Sequence, residues 1–529
     1  MPIHPYLLPR RWRQSLCVIS LLWLGVVPAA AQDVPVNRFL NVGDPMPTGP
    51  GLVNAISTPT VDAGQLAYGV VSDQAYSVVV LQSVAGGATT TVVDNQTTMP
   101  NSTPPFWQFS LPRVRNGLAM LYGRDYPLSE QGLYYGLGGP LGVLADRATT
   151  PFTGFSSYSF AFDGLNAAFY ATNPAGGLFL GQIGSSVYRT IVRGNDPLPG
   201  DPVARINQIH VPSLRGGWLV FSVRVYDTVT FQYAYAVLRY DLASSTLSTV
   251  VGRQTPVPGL GGPFTVIEGA TTDGSSVVFA GRQGNPLFGG WSGLCRLRNG
   301  TLSVIADNSA SLPGSTQLPP LFGAANSGWL ANGDDVAFCC GDGVHGQTIL
   351  YARWRGRLVR IAERGDQLGS GTLDNLYFSP DGFDGRYVTF VARYGIGLPY
   401  SLCVADLACA NVEVYGNGCA PAGPPPQLRS SGCPAPGQQF ALESSGNLGT
   451  VALAVIGTGR TQVPLLGCDL LVAPILSSRL VPLQGGTVTI GFGTLPSWLS
   501  GFRLTAQVLS LAPATSALAT TNGLDVTIY

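Results

Sequence analysis

One short pattern returns along most of the chain: a turn glycine followed by an apolar run that ends in an aromatic. It reads Ala63-Gly64 to Tyr68, Asn116-Gly117 to Tyr122, Asp163-Gly164 to Phe169 and Arg215-Gly216 to Phe221. It continues as Asp273-Gly274 to Phe279, Asn332-Gly333 to Phe338 and Asp384-Gly385 to Phe390. The aromatic stands five positions after the glycine in six of the seven copies, and successive glycines are 53, 47, 52, 58, 59 and 52 residues apart. A steady period of that size marks a repeat architecture, in which each unit buries its apolar faces only against its neighbours.

Each unit reads as a hairpin, because Asp-Gly and Asn-Gly supply the positive φ angles of a tight turn between β-prone segments. Residues 276–280 and 387–391 are expected as inner, buried strands. Two more strands follow in each unit, as at 293–297 with 302–306 and at 349–354 with 358–362. Proline-rich loops then separate the units: Asp44-Pro45-Met46-Pro47, Asp196-Pro197-Leu198-Pro199-Gly200, Thr255-Pro256-Val257-Pro258-Gly259 and Ser311-Leu312-Pro313-Gly314. Proline lacks the N–H a ladder needs, so it stops pairing there. Four strands per unit, seven times over, predict an all-β chain with a seven-bladed β-propeller over residues 32–410. Residues 36–44 read like 358–366, so the first strand is expected to complete the seventh blade; residues 411–415 are the alternative source of that strand.

The loop motifs resemble those of secreted bacterial proteins built from tandem repeats with an N-x-x-G-x-x-x-P-G-like signature, over about residues 35–407. The resemblance implies a propeller fold and carries no catalytic residue with it. The second, third and seventh copies are degenerate.

Composition agrees with turns and strands. The 529 residues exceed one ordinary core, and 68 Gly with 41 Pro argue against long helices. All 29 basic residues are Arg, which excludes Schiff-base and phosphate-loop lysine chemistry. Arg10, Arg11 and Arg13 precede an apolar run at 16–27 and the small residues Ala29, Ala30 and Ala31. This predicts a signal peptide at 1–31 and an exported protein, a retained anchor being the alternative. No later segment reads as a transmembrane span. The remaining 26 Arg face 29 acidic residues, a formal charge of about −3, so nucleic acid is excluded as a partner. A monomer is expected.

From 411 to 529 the chain changes character: a Gly- and Pro-rich stretch gives way to β-like runs at 439–443, 450–456, 469–472, 487–492, 502–509 and 524–529. Their length and alternation predict a small antiparallel β-sandwich. Eight cysteines remain after the signal, none in a CxxC pair, so disulfides are expected rather than a zinc site. The order Tyr415-Gly416-Asn417-Gly418-Cys419, Ser431-Gly432-Cys433-Pro434, Leu465-Leu466-Gly467-Cys468 and Thr521-Asn522-Gly523-Leu524 resembles a C-terminal module of secreted bacterial multidomain proteins. That resemblance implies a Cys419–Cys468 disulfide. Cys433 competes for Cys419, and Cys403 with Cys409, and Cys295 with Cys339 or Cys340, are the other pairings considered.

Chemistry is sparsely signposted. His210 lies in a strand-like segment and His345 in a glycine loop, where ordinary packing and a flexible rim explain them. No G-x-S-x-G, H-E-x-x-H or G-x-x-x-x-G-K motif is present. Asp381-Gly382-Phe383-Asp384-Gly385 and Asn332-Gly333-Asp334-Asp335 have calcium-type side chains but read better as hairpin turns. Sequons at Asn95, Asn101 and Asn299 carry no assigned role. No catalytic, cofactor or metal residue is singled out.

The first functional expectation is a non-enzymatic binding or surface-interaction protein, with a protein or glycan partner at the rim or axial mouth and no cofactor. The alternative is an extracellular carbohydrate-active enzyme, a glycoside hydrolase or lyase, with acids from several blades at the axis. The two differ in the channel: an enzyme converges two or more Asp or Glu there, whereas Gly, Ser and apolar groups favour a binder. In a third reading the propeller is architectural and the tail interacts.

Overall fold

The computed structural model describes residue 34 and residues 36–528 except 111, 127–129, 174, 287–288, 310–311, 313–314, 316–320, 323–327, 342–345, 369–370, 396–399, 411, 422, 436 and 513–516. The expected signal peptide lies outside the described residues.

Between Val36 and Asp406 the described residues form seven successive antiparallel sheets of four to six strands. The third, for example, is Gly154–Phe162, Asn166–Asn173, Ala175–Gln182 and Tyr188–Arg193 in simple meander order. The seventh takes Asn375–Phe383, Tyr387–Arg393 and Tyr400–Asp406 from its own stretch and Val36–Asn41 from the start of the chain. Val36 stands opposite Ala405, Arg38 opposite Cys403 and Asn41 opposite Ser401, whose hydroxyl donates to the Asn41 side-chain Oδ1 at 2.7 Å. The alternative segment goes elsewhere: Val412–Tyr415 pairs with Gly523–Thr527.

A lone four-stranded sheet leaves two apolar faces wet, and this chain buries them sheet against sheet. Seven apolar clusters lie between consecutive sheets, joining first to second, second to third and so on. The last joins the seventh to the first, where Leu402 and Val404 meet Tyr68, Val78 and Leu40. This is a β-propeller arrangement.

The repeated aromatic does occupy this core: Tyr68, Tyr122, Phe169, Phe221, Phe279, Phe338 and Phe390 are all buried. Its strand, however, is not the inner one. Ser276–Gln283 and Tyr387–Arg393 are the second strands of their sheets, and the innermost strands, Val266–Thr272 and Asn375–Phe383, precede the turn glycine. The second strand has a neighbour on both edges, so the most apolar run belongs there. Residues facing the axis must therefore be sought before the glycine.

After Asp406 a 3-10 turn, Leu407–Ala410, leads into a six-stranded and a three-stranded sheet. One runs Val412–Tyr415, Gly523–Thr527, Arg503–Ala512, Val451–Gly457, Ile475–Pro482, and the other Gln427–Gly432, Gln439–Ser445, Val488–Thr494. Leu428, Phe440 and Leu442 of the second share an apolar cluster with Ala452, Leu504, Val508 and Leu524 of the first. Cys419 is bonded to Cys468, and Cys409 to Cys433. The other pairings considered do not form, because strand alternation turns the thiols apart. Cys340 faces the fifth sheet, whereas Cys295 of that sheet faces the fourth. Cys403 points into the core shared by the sixth and seventh sheets. Among the described residues no helix is long and apolar enough to cross a membrane.

Candidate active site

The innermost strands of the seven sheets touch in sequence, from Thr60–Asp62 through Arg113–Arg115 onward, and Asn375–Phe383 of the last touches Thr60–Asp62 of the first. Six of the seven are broken or bulged midway; Gly328–Asn332 of the sixth sheet pairs in unbroken register. The breaks fall at 57–59, 110–112 and 210–212, and the register jumps between Phe155 and Phe160, Glu268 and Thr271, and Phe378 and Phe383. Pro59, Pro112 and Pro212 sit in three of them, where a missing N–H costs no ladder bond. After the break each strand resumes for a few residues before its turn glycine. The positions four and two before that glycine are Thr60 and Asp62 in the first sheet and Arg113 and Arg115 in the second; in the fourth, Ser213 and Arg215 stand four and two before Gly217, the second glycine of its turn. In the seventh, Asp381 is four before Gly385.

These positions converge. Arg113 and Arg115 of the second sheet both pair with the Asp381 carboxylate of the seventh. Arg115 also lies 3.6 Å from Asp62 of the first. Asp62 accepts the Asn116 amide at 2.7 Å, and Thr60 donates to the Pro112 carbonyl at 3.1 Å. The Arg113 guanidinium stacks 5.0 Å from the Phe160 ring of the third sheet. Arg215 of the fourth sheet reaches over to the Ala331 carbonyl of the sixth, 3.3 Å away.

The side chains of Arg113, Arg115 and Asp381 are only 12%, 6% and 11% exposed, so their charges interact with little screening. Burial alone would raise the Asp381 carboxyl; the charges of Arg113, Arg115 and Arg215 overcome it and hold the group below the ordinary carboxylate value, ionised. Arg215 shows the opposite balance. Burial first, then repulsion from Arg115, brings its guanidinium down to about 10.

The groups considered from sequence lie elsewhere. His210 is half-buried edge-on to Tyr235, its ring centre 6.4 Å away, and burial with the nearby Arg224 charge lowers its pKa. Among the described residues no carboxylate or hydroxyl hydrogen-bonds its ring, and His345 lies outside them. In the two calcium-type clusters the carboxylates are already engaged. Asp384 accepts the amides of Gly64, Arg386 and Tyr387, Asp335 accepts that of Arg355, and Asp334 pairs with Arg298. The one metal-type cluster among the described residues, Asp406 with Cys409 and Cys433, has both sulfurs in a disulfide.

The sequence reading missed the axial residues because it looked after the turn glycine. The fixed offset before it would have found Asp62, Arg113 and Arg115. Beside the axis a groove of about 580 Å³ opens at the junction of the first and seventh sheets, bounded by Ala63, Gly64 and Asp384 to Tyr387.

No protein-family model matches the chain, and no curated protein does. Solved propeller structures resemble it in fold. The β-propeller domain of the trilobed protease from Pyrococcus furiosus aligns at 9% identity and TM-score 0.43, over 67% of this chain and 94% of that one. The acylaminoacyl peptidase of Pyrococcus horikoshii aligns at 11% identity and TM-score 0.42, over 75% of this chain but only 59% of its own length. The GH93 α-L-arabinofuranosidase of Fusarium graminearum aligns at 11% identity and TM-score 0.31, over 72% and 97%. The expectation of a non-enzymatic binder, whose channel was to be lined by Gly, Ser and apolar groups, is corrected by the axis, which holds two carboxylates and three guanidiniums.

Proposed function

We propose that the chain is an exported carbohydrate-active enzyme that cleaves glycosidic bonds with the axial pair Asp62 and Asp381. Its scaffold in this reading is a seven-bladed propeller, residues 32–410, closed by its own first strand. A signal peptide at 1–31 precedes it and a small antiparallel sandwich at 411–529 follows. Seven sheets joined by seven shared apolar clusters support the propeller. The two facing sheets after residue 411 support the sandwich, and the two disulfides fit an oxidising compartment.

The observation that carries the function is the meeting of Asp62 and Asp381, 319 positions apart in sequence, on one guanidinium, Arg115. Glycosidic cleavage in most enzymes uses two carboxyl groups in different states. Here the two carboxyl groups are held differently. Asp381, clamped by two guanidiniums, stays a carboxylate and is suited to stabilise or attack a developing oxocarbenium ion. Asp62 is held more loosely, 3.6 Å from Arg115 with a side chain 19% exposed, and is the carboxyl group assigned to the leaving oxygen in this reading.

The test is release of reducing ends from a panel of neutral and acidic polysaccharides by the full secreted chain. Asp62→Asn keeps the oxygen that accepts the Asn116 amide and should fold normally, yet lower turnover at least about a hundredfold. No cleavage of any polysaccharide, or unchanged turnover in the folded D62N variant, would refute the proposal.

A further inference from the structure

Ion pairing at the axis is uneven. Three guanidiniums, Arg113, Arg115 and Arg215, face two carboxylates, Asp62 and Asp381, and both carboxylates are committed to the second sheet's arginines. Arg215 forms no ion pair among the described residues; its hydrogen bond goes to the Ala331 main-chain carbonyl at 3.3 Å. Asp384, the next acid near enough to act on Arg215, already accepts three backbone amides. A half-buried guanidinium without a carboxylate in contact is expensive to hold, since distant charges offset desolvation only in part. Its five N–H donors form a planar fork suited to two oxygens of a carboxylate, and one neutral carbonyl leaves most of that capacity unused.

We propose that Arg215 binds a carboxylate of the substrate, so that the enzyme acts on glycans containing uronic acids. The inference rests on the axial reading above and adds the substrate class. Substrate entering the axis supplies the missing anion, and Arg215 places the uronate ring against Asp62 and Asp381, across the axis. Arg215 is thus a positioning and specificity residue. A neutral sugar of the same shape leaves the guanidinium unpaired and is selected against, as sites built around a polar group reject analogues that lack its partner.

The experiment separates binding from turnover by using the D62N chain, which the proposed mechanism makes a non-cleaving binder. Isothermal titration is run with trimers of galacturonate, glucuronate, mannuronate and guluronate, with galactose trimer, and with a sulfated galactose trimer. At least one uronate trimer should bind, galactose trimer at least tenfold more weakly, and Arg215→Gln should weaken the uronate by about tenfold to a hundredfold, as expected for losing a charge-assisted hydrogen bond. Arg215→Lys should fall between. Because R215Q removes an uncompensated charge, its thermal midpoint should equal or exceed that of the parent, an outcome a merely structural arginine would not give. Uronate affinity unchanged in R215Q, no uronate bound, or galactose or sulfated trimer bound as tightly as the uronate would each overturn the inference. Uronate binding lost in R215Q with no cleavage by the wild-type chain would sink the enzymatic reading and leave the carboxylate site standing.

Discussion

Replacing Asp381 with Ala should cost about 3–5 kcal/mol and lower the thermal midpoint of the full chain by about 5–10 °C, because Arg113 and Arg115 stay buried after losing their shared carboxylate. The contrast is the Arg298–Asp334 pair, whose side chains are 41% and 73% exposed. Removing Asp334 should change stability by less than about 1 kcal/mol, since water and salt screen that pair. The pH dependence has a definite sign. The Asp381 carboxyl is depressed in the folded state, so its contribution is complete above the unfolded-state value, roughly 3.9, and disappears as pH falls through the lower folded value. The midpoint difference between wild type and D381A should therefore be full at pH 7 and shrink below about pH 4. Equal midpoints at pH 7 would show that the pair adds nothing.

Removing residues 34–43 should have the larger effect. Those residues supply the fourth strand of the seventh sheet, five opposed pairs with Tyr400–Asp406, and the buried Leu40, which packs with Leu402, Val404 and Tyr68. Without them Tyr400–Asp406 becomes an unpaired edge and the cluster between the last and first sheets is opened to water. The truncated chain should be recovered mainly in the insoluble fraction, or melt at least about 15 °C below the full chain. A synthetic peptide spanning 34–43 should restore part of the loss by adding back as a strand. A truncated chain melting within about 2 °C of wild type would show that the opening strand does not tie the sheets together.

The repeat was legible because its signal is local and redundant. A glycine that must adopt positive φ, as Gly64, Gly117 and Gly385 do, stands a few residues before an aromatic that must be buried. Both demands recur in every unit, so the period survives degenerate copies. The axial site is neither local nor redundant. Four residues before the turn glycine stand Thr60, Arg113, Phe160, Pro212, Ala270, Trp329 and Asp381, a different chemistry in every unit. Only the meeting of strands 266 residues apart gives Arg115 and Asp381 a meaning.

The same reasoning explains the misses in the tail. Ile475–Pro482 has nearly every residue exposed at the edge of its sheet, so no alternation of apolar and polar residues marks it as a strand. The cysteine pairings considered for the propeller failed because spacing along the chain is blind to which face of a strand a thiol occupies. Cys419 and Cys468, 49 residues apart, were found through landmark motifs instead.

Asp381 can meet the arginines of the second sheet only where the last sheet lies beside the first, and the pairing of the opening strand with Tyr400–Asp406 is the most direct test of that arrangement. Arg38 stands opposite Cys403, whose thiol is unpaired. Directly opposed residues in an antiparallel ladder bring their Cα atoms to roughly 4.5–5.5 Å, within disulfide range. In the Arg38→Cys variant, oxidised and mapped without reduction, a peptide joining positions 38 and 403 should carry most of the signal. A folded variant with both thiols free, or linked only between molecules, would contradict the arrangement.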